Sequence, residues 1–295
     1  MFFLNSGDLY AAYRGFKPSK AAIAQAGLYN KSPAASLDLY TFLLFSIFST
    51  CTLSAMIEFL NNIDTSVFLA INGHHSPFFD SFMMLFTGRF IWIPMYAMVL
   101  WIFFRGSNWK NALIYLGAIA LTIALTDQIC ASLIRPAVER LRPSNLANSL
   151  SELTYTVNEY RGGRYGFPSC HSANSFALAT FMSLFVRKRG FTVFIFAWAL
   201  LNSYSRLYLG VHYPGDLLVG GIIGSIFAIL CYMVASRFES PAAHAQRLQR
   251  LATPIISLRA PLAAEGRSLA VTPSLLMEAT CALTLSAIII ASLLH

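Results

Sequence analysis

Residues 111–134 hold a single charged side chain, Asp127, near one end of the run. An apolar medium offers no partner to backbone N–H and C=O groups, so such a run has to be helical, and it is long enough to cross a hydrocarbon core of about 30 Å. Comparable segments stand at residues 83–104, 171–186, 191–205 and 216–236. The shorter ones must end among polar groups or tilt within a bundle. The chain is 56% hydrophobic and 12% charged, against roughly 25% charged in soluble domains. The expected fold is therefore all-α, a polytopic membrane helical bundle. A net charge of +8 suggests nucleic acid when read alone, but the basic residues sit in loops between apolar segments, as membrane topology arranges them. No nucleic-acid partner is expected. Five cysteines are too few for a disulfide framework and form no zinc pattern, so neither metal nor cofactor is expected.

Taken in order, residues 1–38 carry Arg14, Lys17, Lys20 and Lys31 with little hydrophobic periodicity and read as a basic cytoplasmic arm. Residues 39–57 are charge-free and suit an extra membrane helix or an uncleaved anchor, while Met56 offers an internal start. The core is expected over residues 58–236. Within it, residues 59–82 mix apolar and polar side chains and predict an amphipathic helix in the interface. His74 and His75 stand beside Ser76 and Pro77 and read as loop rather than as metal ligands. Residues 237–274, with Arg247, Arg250, Arg259 and Arg267, read as a cytoplasmic linker with an amphipathic helix near 242–251. Residues 275–295 contain a charge-free run suited to a last membrane helix or an interfacial hairpin.

Arg105 and Lys110 share one short connection, Arg187, Lys188 and Arg189 share another, and Arg237 follows the segment 216–236. Positive-inside bias makes these cytoplasmic and puts the loops 135–169 and 206–215 together on the opposite face, the periplasm of a bacterial inner membrane. Arg135, Arg140, Arg142, Arg161 and Arg164 count against this assignment. They have a chemical reason for their position, however, and the Arg187–Arg189 turn has none.

That reason begins with Pro168-Ser169-Cys170-His171, where a polar loop becomes an apolar segment. The start of a helix presents unpaired N–H groups and the positive end of its dipole, which is a prepared anion site. Arg135 and Arg142 are seven residues apart, two turns along one face if helical, so both guanidiniums can meet one anion; a pair of snorkelling arginines fits the same spacing. In Ser205-Arg206-x5-His212-x3-Asp216, a carboxylate four residues past an imidazole can hold one ring nitrogen and leave the other nucleophilic. A capping aspartate beside an interfacial histidine fits that pair equally.

Taken together, Arg135-x6-Arg142-Pro143, Pro168-Ser169-x-His171 and Ser205-Arg206-x5-His212-x3-Asp216 resemble the three-part signature of the type 2 phosphatidic acid phosphatase family, the lipid phosphate phosphatases. Their site is shared with vanadate haloperoxidases, a reading that the hydrophobic spans exclude here. The resemblance covers roughly residues 59–236 and implies a six-helix core. It implies that His212 attacks phosphorus to form a phosphohistidine, that Asp216 holds its ring, and that His171 protonates the leaving oxygen. Arg135, Arg142, Arg206, Ser169 and the Cys170 N–H would then bind the phosphoryl oxygens, with no metal. Two positions depart from the family pattern: Arg135 replaces the usual lysine and Cys170 the usual glycine. If only the backbone N–H at 170 matters, the thiol is incidental.

The resemblance also implies a lipid phosphate or diphosphate substrate, with undecaprenyl diphosphate or lipid A foremost, reached among membrane lipids. Arg161 and Arg164 either hold a second phosphate or sugar headgroup or anchor anionic lipid. A lipid phosphotransferase would use the same residues with an alcohol as acceptor. A transporter is the rival from another class, and the clustering of charge at one face speaks against it.

Overall fold

The computed structural model describes residues 54–259 and 268–294. The expected arm 1–38, residues 39–53 of the expected extra helix and residues 260–267 of the expected linker lie outside the described residues. The chain divides into two compact units, Met1–Asn62 and Ile63–His295. In the first, residues 54–62 are helical.

The second unit opens with helical residues 63–72 (α1). It continues with α2 (Pro77–Phe86), α3 (Ile93–Gly106) and α4 (Trp109–Gln128), which runs through a π-helical turn (Ile129–Ile134) into α5 (Arg135–Val138). After a long loop come α6 (Cys170–Val186), α7 (Arg189–Tyr208), α8 (Pro214–Ser236) and α9 (Pro241–Ala252). A short antiparallel ribbon pairs Ile256–Arg259 with Ser268–Val271, and α10 (Pro273–Leu293) follows. Trp109–Val138, Pro214–Ser236 and Pro273–Leu293 are long and apolar enough to cross a membrane. The fold is a helical bundle, as the apolar runs predict, with the ribbon added where the sequence reads as linker.

Local sequence explains where the helices start. Ser76, Asn108, Ser169, Ser240 and Thr272 each accept a backbone N–H of the following first turn, and proline stands in the first turn of α2, α3, α8, α9 and α10. One expectation fails: residues 83–104 are not one span. Pro94 supplies no N–H to continue a helix and instead opens α3, while the Trp92 indole donates to Phe86 O at 2.8 Å across the resulting turn at 87–92.

Two packing features position the rest. Helices α6 and α8 meet through small residues: a Cβ on Gly220 would strike Ser169 O and one on Gly224 would strike Ala173 O. Side-chain-free positions of this kind let two membrane helices approach at backbone distance. At the other end of α6, the Phe185 ring packs edge to face against Phe103 and Tyr115, with ring centroids 4.8 and 4.9 Å away. The fully buried Arg247 of α9 closes this end, donating to Phe185 O at 2.9 Å and pairing with Glu239 at 3.1 Å.

Candidate active site

The catalytic candidates are carried by four pieces of chain, and each is placed by a local device. His212 lies in the short turn between α7 and α8, and Asp216 occupies the first turn of α8, where Asp216 Oδ2 accepts the Tyr213 N–H at 3.0 Å. The same oxygen lies 3.2 Å from His212 Nδ1. His212 Nε2 is 3.1 Å from an Arg142 terminal nitrogen. A guanidinium only donates, so Nε2 must be the accepting nitrogen and Nδ1 the protonated one. The ring is therefore held neutral with its lone pair turned toward the arginines. Burial first, and then the charges of Arg142, Arg206, Arg135 and His171, hold the His212 pKa well below its ordinary value.

Arg135 and Arg142 converge by another route than the expected two turns of one helix. The helix stops at Val138, Glu139 takes a left-handed conformation (φ 52°), and the chain reverses. Arg142 then enters from the loop, buried, with Nε donating to Tyr165 O at 3.2 Å. Its pKa falls to about 10 through burial and through Arg135 and Arg206, so it stays charged at neutral pH. Arg135 is delivered by the π-helical turn, a feature common at functional sites. It donates to Pro168 O at 3.0 Å and to Cys170 Sγ at 3.1 Å. The two residues that depart from the family pattern therefore touch each other.

Ser169 caps α6, its N–H donating to Asp216 O at 2.9 Å. That bond joins the central motif to the last one. His171 Nε2 lies 2.8 Å from Asn202 Oδ1 and 3.4 Å from Thr87 Oγ1. Arg206 donates to Thr87 Oγ1 at 3.0 Å and to the Tyr160 hydroxyl at 2.9 Å. Ser205 is buried and donates to Asn202 O at 2.7 Å, so it braces the helix and is not among the residues that line the cavity. Arg135, Arg142, Cys170, His171, Arg206 and His212 line one cavity of about 1030 Å³, which continues between apolar side chains such as Leu116, Ile119 and Val99.

Arg161 and Arg164 are not among these residues. Arg161 exchanges bonds with Ser144, its guanidinium donating to Ser144 O at 2.8 Å, and Arg164 lies over the Tyr165 ring at 5.2 Å. His75 bonds Asp80 at 3.0 Å and stacks on Tyr155, and His74, just past α1, bonds Ala70 O at the end of that helix. Among the described residues no group of three or more His, Cys, Asp or Glu could hold a metal ion.

Sequence reasoning missed the partners of the catalytic groups. Arg140 donates to Asp216 Oδ1 at 2.9 Å, pairs with Asp64 at 2.7 Å and stacks on Tyr213, yet in the sequence it was only one more loop arginine. Gly166 lies so near that a Cβ there would stand 3.0 Å from Asp216 Oδ2. Asn202 carried a usable signal, being one helical turn before Ser205 and Arg206. Thr87, Asp64 and Tyr160 carried none.

The model of a family described as the PAP2 superfamily matches residues 111–240. The lipid A 4'-phosphatase of Bacteroides thetaiotaomicron is 55% identical over 185 residues, covering 63% of this chain and 82% of that protein. The chain belongs to the PAP2 superfamily. A second similar PAP2 relative is the lipid A 4'-phosphatase of Porphyromonas gingivalis, 34% identical over 60% of this chain and 75% of its own length. A third is the undecaprenyl-diphosphatase BcrC of Bacillus subtilis, 30% identical over 55% of this chain and 80% of its own. As a PAP2 member with several apolar helices, the protein is a multi-pass membrane protein. The PAP2 match begins at residue 111, so Asp64, Thr87 and the turn 87–92 lie before it.

Proposed function

We propose that this protein hydrolyses lipid phosphates through a phosphohistidine on His212. It is a membrane lipid phosphatase, and the names of its relatives support lipid A or undecaprenyl diphosphate as the substrate. The observation that carries the mechanism is the neutral His212 ring, with Nδ1 on Asp216 and Nε2 among guanidiniums at the cavity wall.

The phosphate enters between Arg135, Arg142 and Arg206, whose charges oppose the negative charge on its equatorial oxygens and favour the in-line transition state. The His212 Nε2 lone pair attacks phosphorus as the bond to the leaving oxygen breaks. Asp216 stabilises the positive ring that results. The bound anion favours protonation of His171, and the imidazolium gives its proton to the leaving oxygen. His171, now neutral, takes a proton from water as that water attacks the phosphohistidine, which releases inorganic phosphate and restores His212.

The Arg187–Arg189 turn stands at the opposite end of α6 from Ser169, which supports a periplasmic active site in a bacterial inner membrane. The test of the mechanism is His212→Ala. Phosphate release from purified lipid A and undecaprenyl diphosphate should disappear while the protein still elutes as a folded species in detergent. Activity of the variant within a few-fold of wild type, or no acid-labile phosphoenzyme in the wild type on rapid quenching, would sink the phosphohistidine.

A further inference from the structure

The turn at 87–92 enters the catalytic cavity from outside the three motifs. Thr87 holds it there, with Oγ1 3.4 Å from His171 Nε2 and accepting from Arg206 at 3.0 Å. Two residues on, Arg89 lines the same cavity, exposed, and its charge reaches His171 and Tyr160. The other cations around the centre are engaged: Arg135 by Pro168 and Cys170, Arg142 by Tyr165, Arg206 by Thr87 and Tyr160, Arg140 by two carboxylates. Among the described residues, Arg89 makes no hydrogen bond or ion pair. Asp127 also lines the cavity, but its charge is felt at Cys130 and Cys170, on the Arg135 side.

Position decides what Arg89 can meet. His171 delivers a proton to the leaving oxygen, and the turn that carries Arg89 meets His171 through Thr87, so Arg89 flanks the leaving group, whereas Arg135, Arg142 and Arg206 surround the phosphoryl group being transferred. A neutral alcohol leaving from a monophosphate offers Arg89 nothing charged. When a diphosphate is cleaved, the leaving group is itself a phosphate, and guanidinium is suited to that anion.

We propose that Arg89 forms a leaving-side subsite for a second phosphate, which makes lipid diphosphates better substrates than the monophosphates of the same lipid. This rests on the phosphatase reading above, with His171 on the leaving side.

The test compares farnesyl diphosphate with farnesyl monophosphate, two substrates with one tail, in detergent micelles with the full-length protein. Arg89→Gln should lower kcat/KM for the diphosphate by about tenfold, mainly through KM, as expected for a charge-assisted contact at a part-exposed site. The monophosphate should change by less than about threefold. Arg89→Lys, which keeps the charge, should recover part of the diphosphate loss. Equal losses on both substrates, or none on either, would overturn the subsite while leaving the phosphatase intact. Absence of phosphate release by the wild type from either of them and from lipid A would instead overturn the function on which the subsite rests.

Discussion

Replacing Arg140 by alanine should damage catalysis without touching any group that meets the substrate. Its guanidinium bridges Asp216 Oδ1 at 2.9 Å and Asp64 at 2.7 Å and lies 4.0 Å from the centre of the Tyr213 ring. Asp216 is fully buried, so loss of this cation leaves its carboxylate with only the His212 ring and the Tyr213 N–H. Breaking a fully buried ion pair costs about 3–5 kcal/mol. Arg140 is 20% exposed and Asp64 12% exposed, so the expected loss of stability is smaller, about 2 kcal/mol. The catalytic effect follows from orientation. Asp216 holds His212 Nδ1, and a misplacement of about 1 Å in a reacting group can cost up to about 100-fold. The fall should appear in kcat with KM nearly unchanged, because Arg140 is not among the cavity-lining residues. Steady-state phosphate release and thermal unfolding in the same detergent measure both effects, and Arg140→Lys should recover part of kcat. A lower Tm with unchanged kcat would refute the orienting role and leave Arg140 a structural bridge.

Two further predictions concern pH and sidedness. Because the folded protein holds the His212 pKa well below its ordinary value, the unfolded chain binds a proton below about pH 6.5 that the folded chain refuses, and stability should drop on acidification by up to about 1.4 kcal/mol per pH unit in that window. Tm should therefore fall more steeply between pH 7 and pH 5.5 in the wild type than in His212→Ala; parallel curves would contradict the buried neutral ring. For sidedness, a membrane-impermeant thiol reagent on intact spheroplasts should label a cysteine placed at Asn148 and spare one placed at Lys188, in a background without native cysteines. The reverse pattern would put the site in the cytoplasm.

The sequence by itself determined the class of fold and the contiguous parts of the site. Runs without charge require helices in an apolar medium whatever their neighbours are. Ser169 and His171 belong together because both stand at one helix start, and the spacing of His212 and Asp216 brings their side chains within reach through local backbone geometry alone. Contacts between distant segments depend instead on how helices pack, and no local spacing encodes them. Arg135 and Arg142 meet through a π-helical turn and a left-handed Glu139 rather than along one helix face. Ser169 reaches Asp216 because Gly220 and Gly224 let α8 close on α6. Thr87 and Arg89 join the cavity because a single expected span breaks at Trp92 and Pro94. The sequence singles out Arg161 rather than Arg140 among the loop arginines, and the tertiary structure reverses that order: Arg140 meets the carboxylate of Asp216, whereas Arg161 donates to Ser144 O away from the cavity.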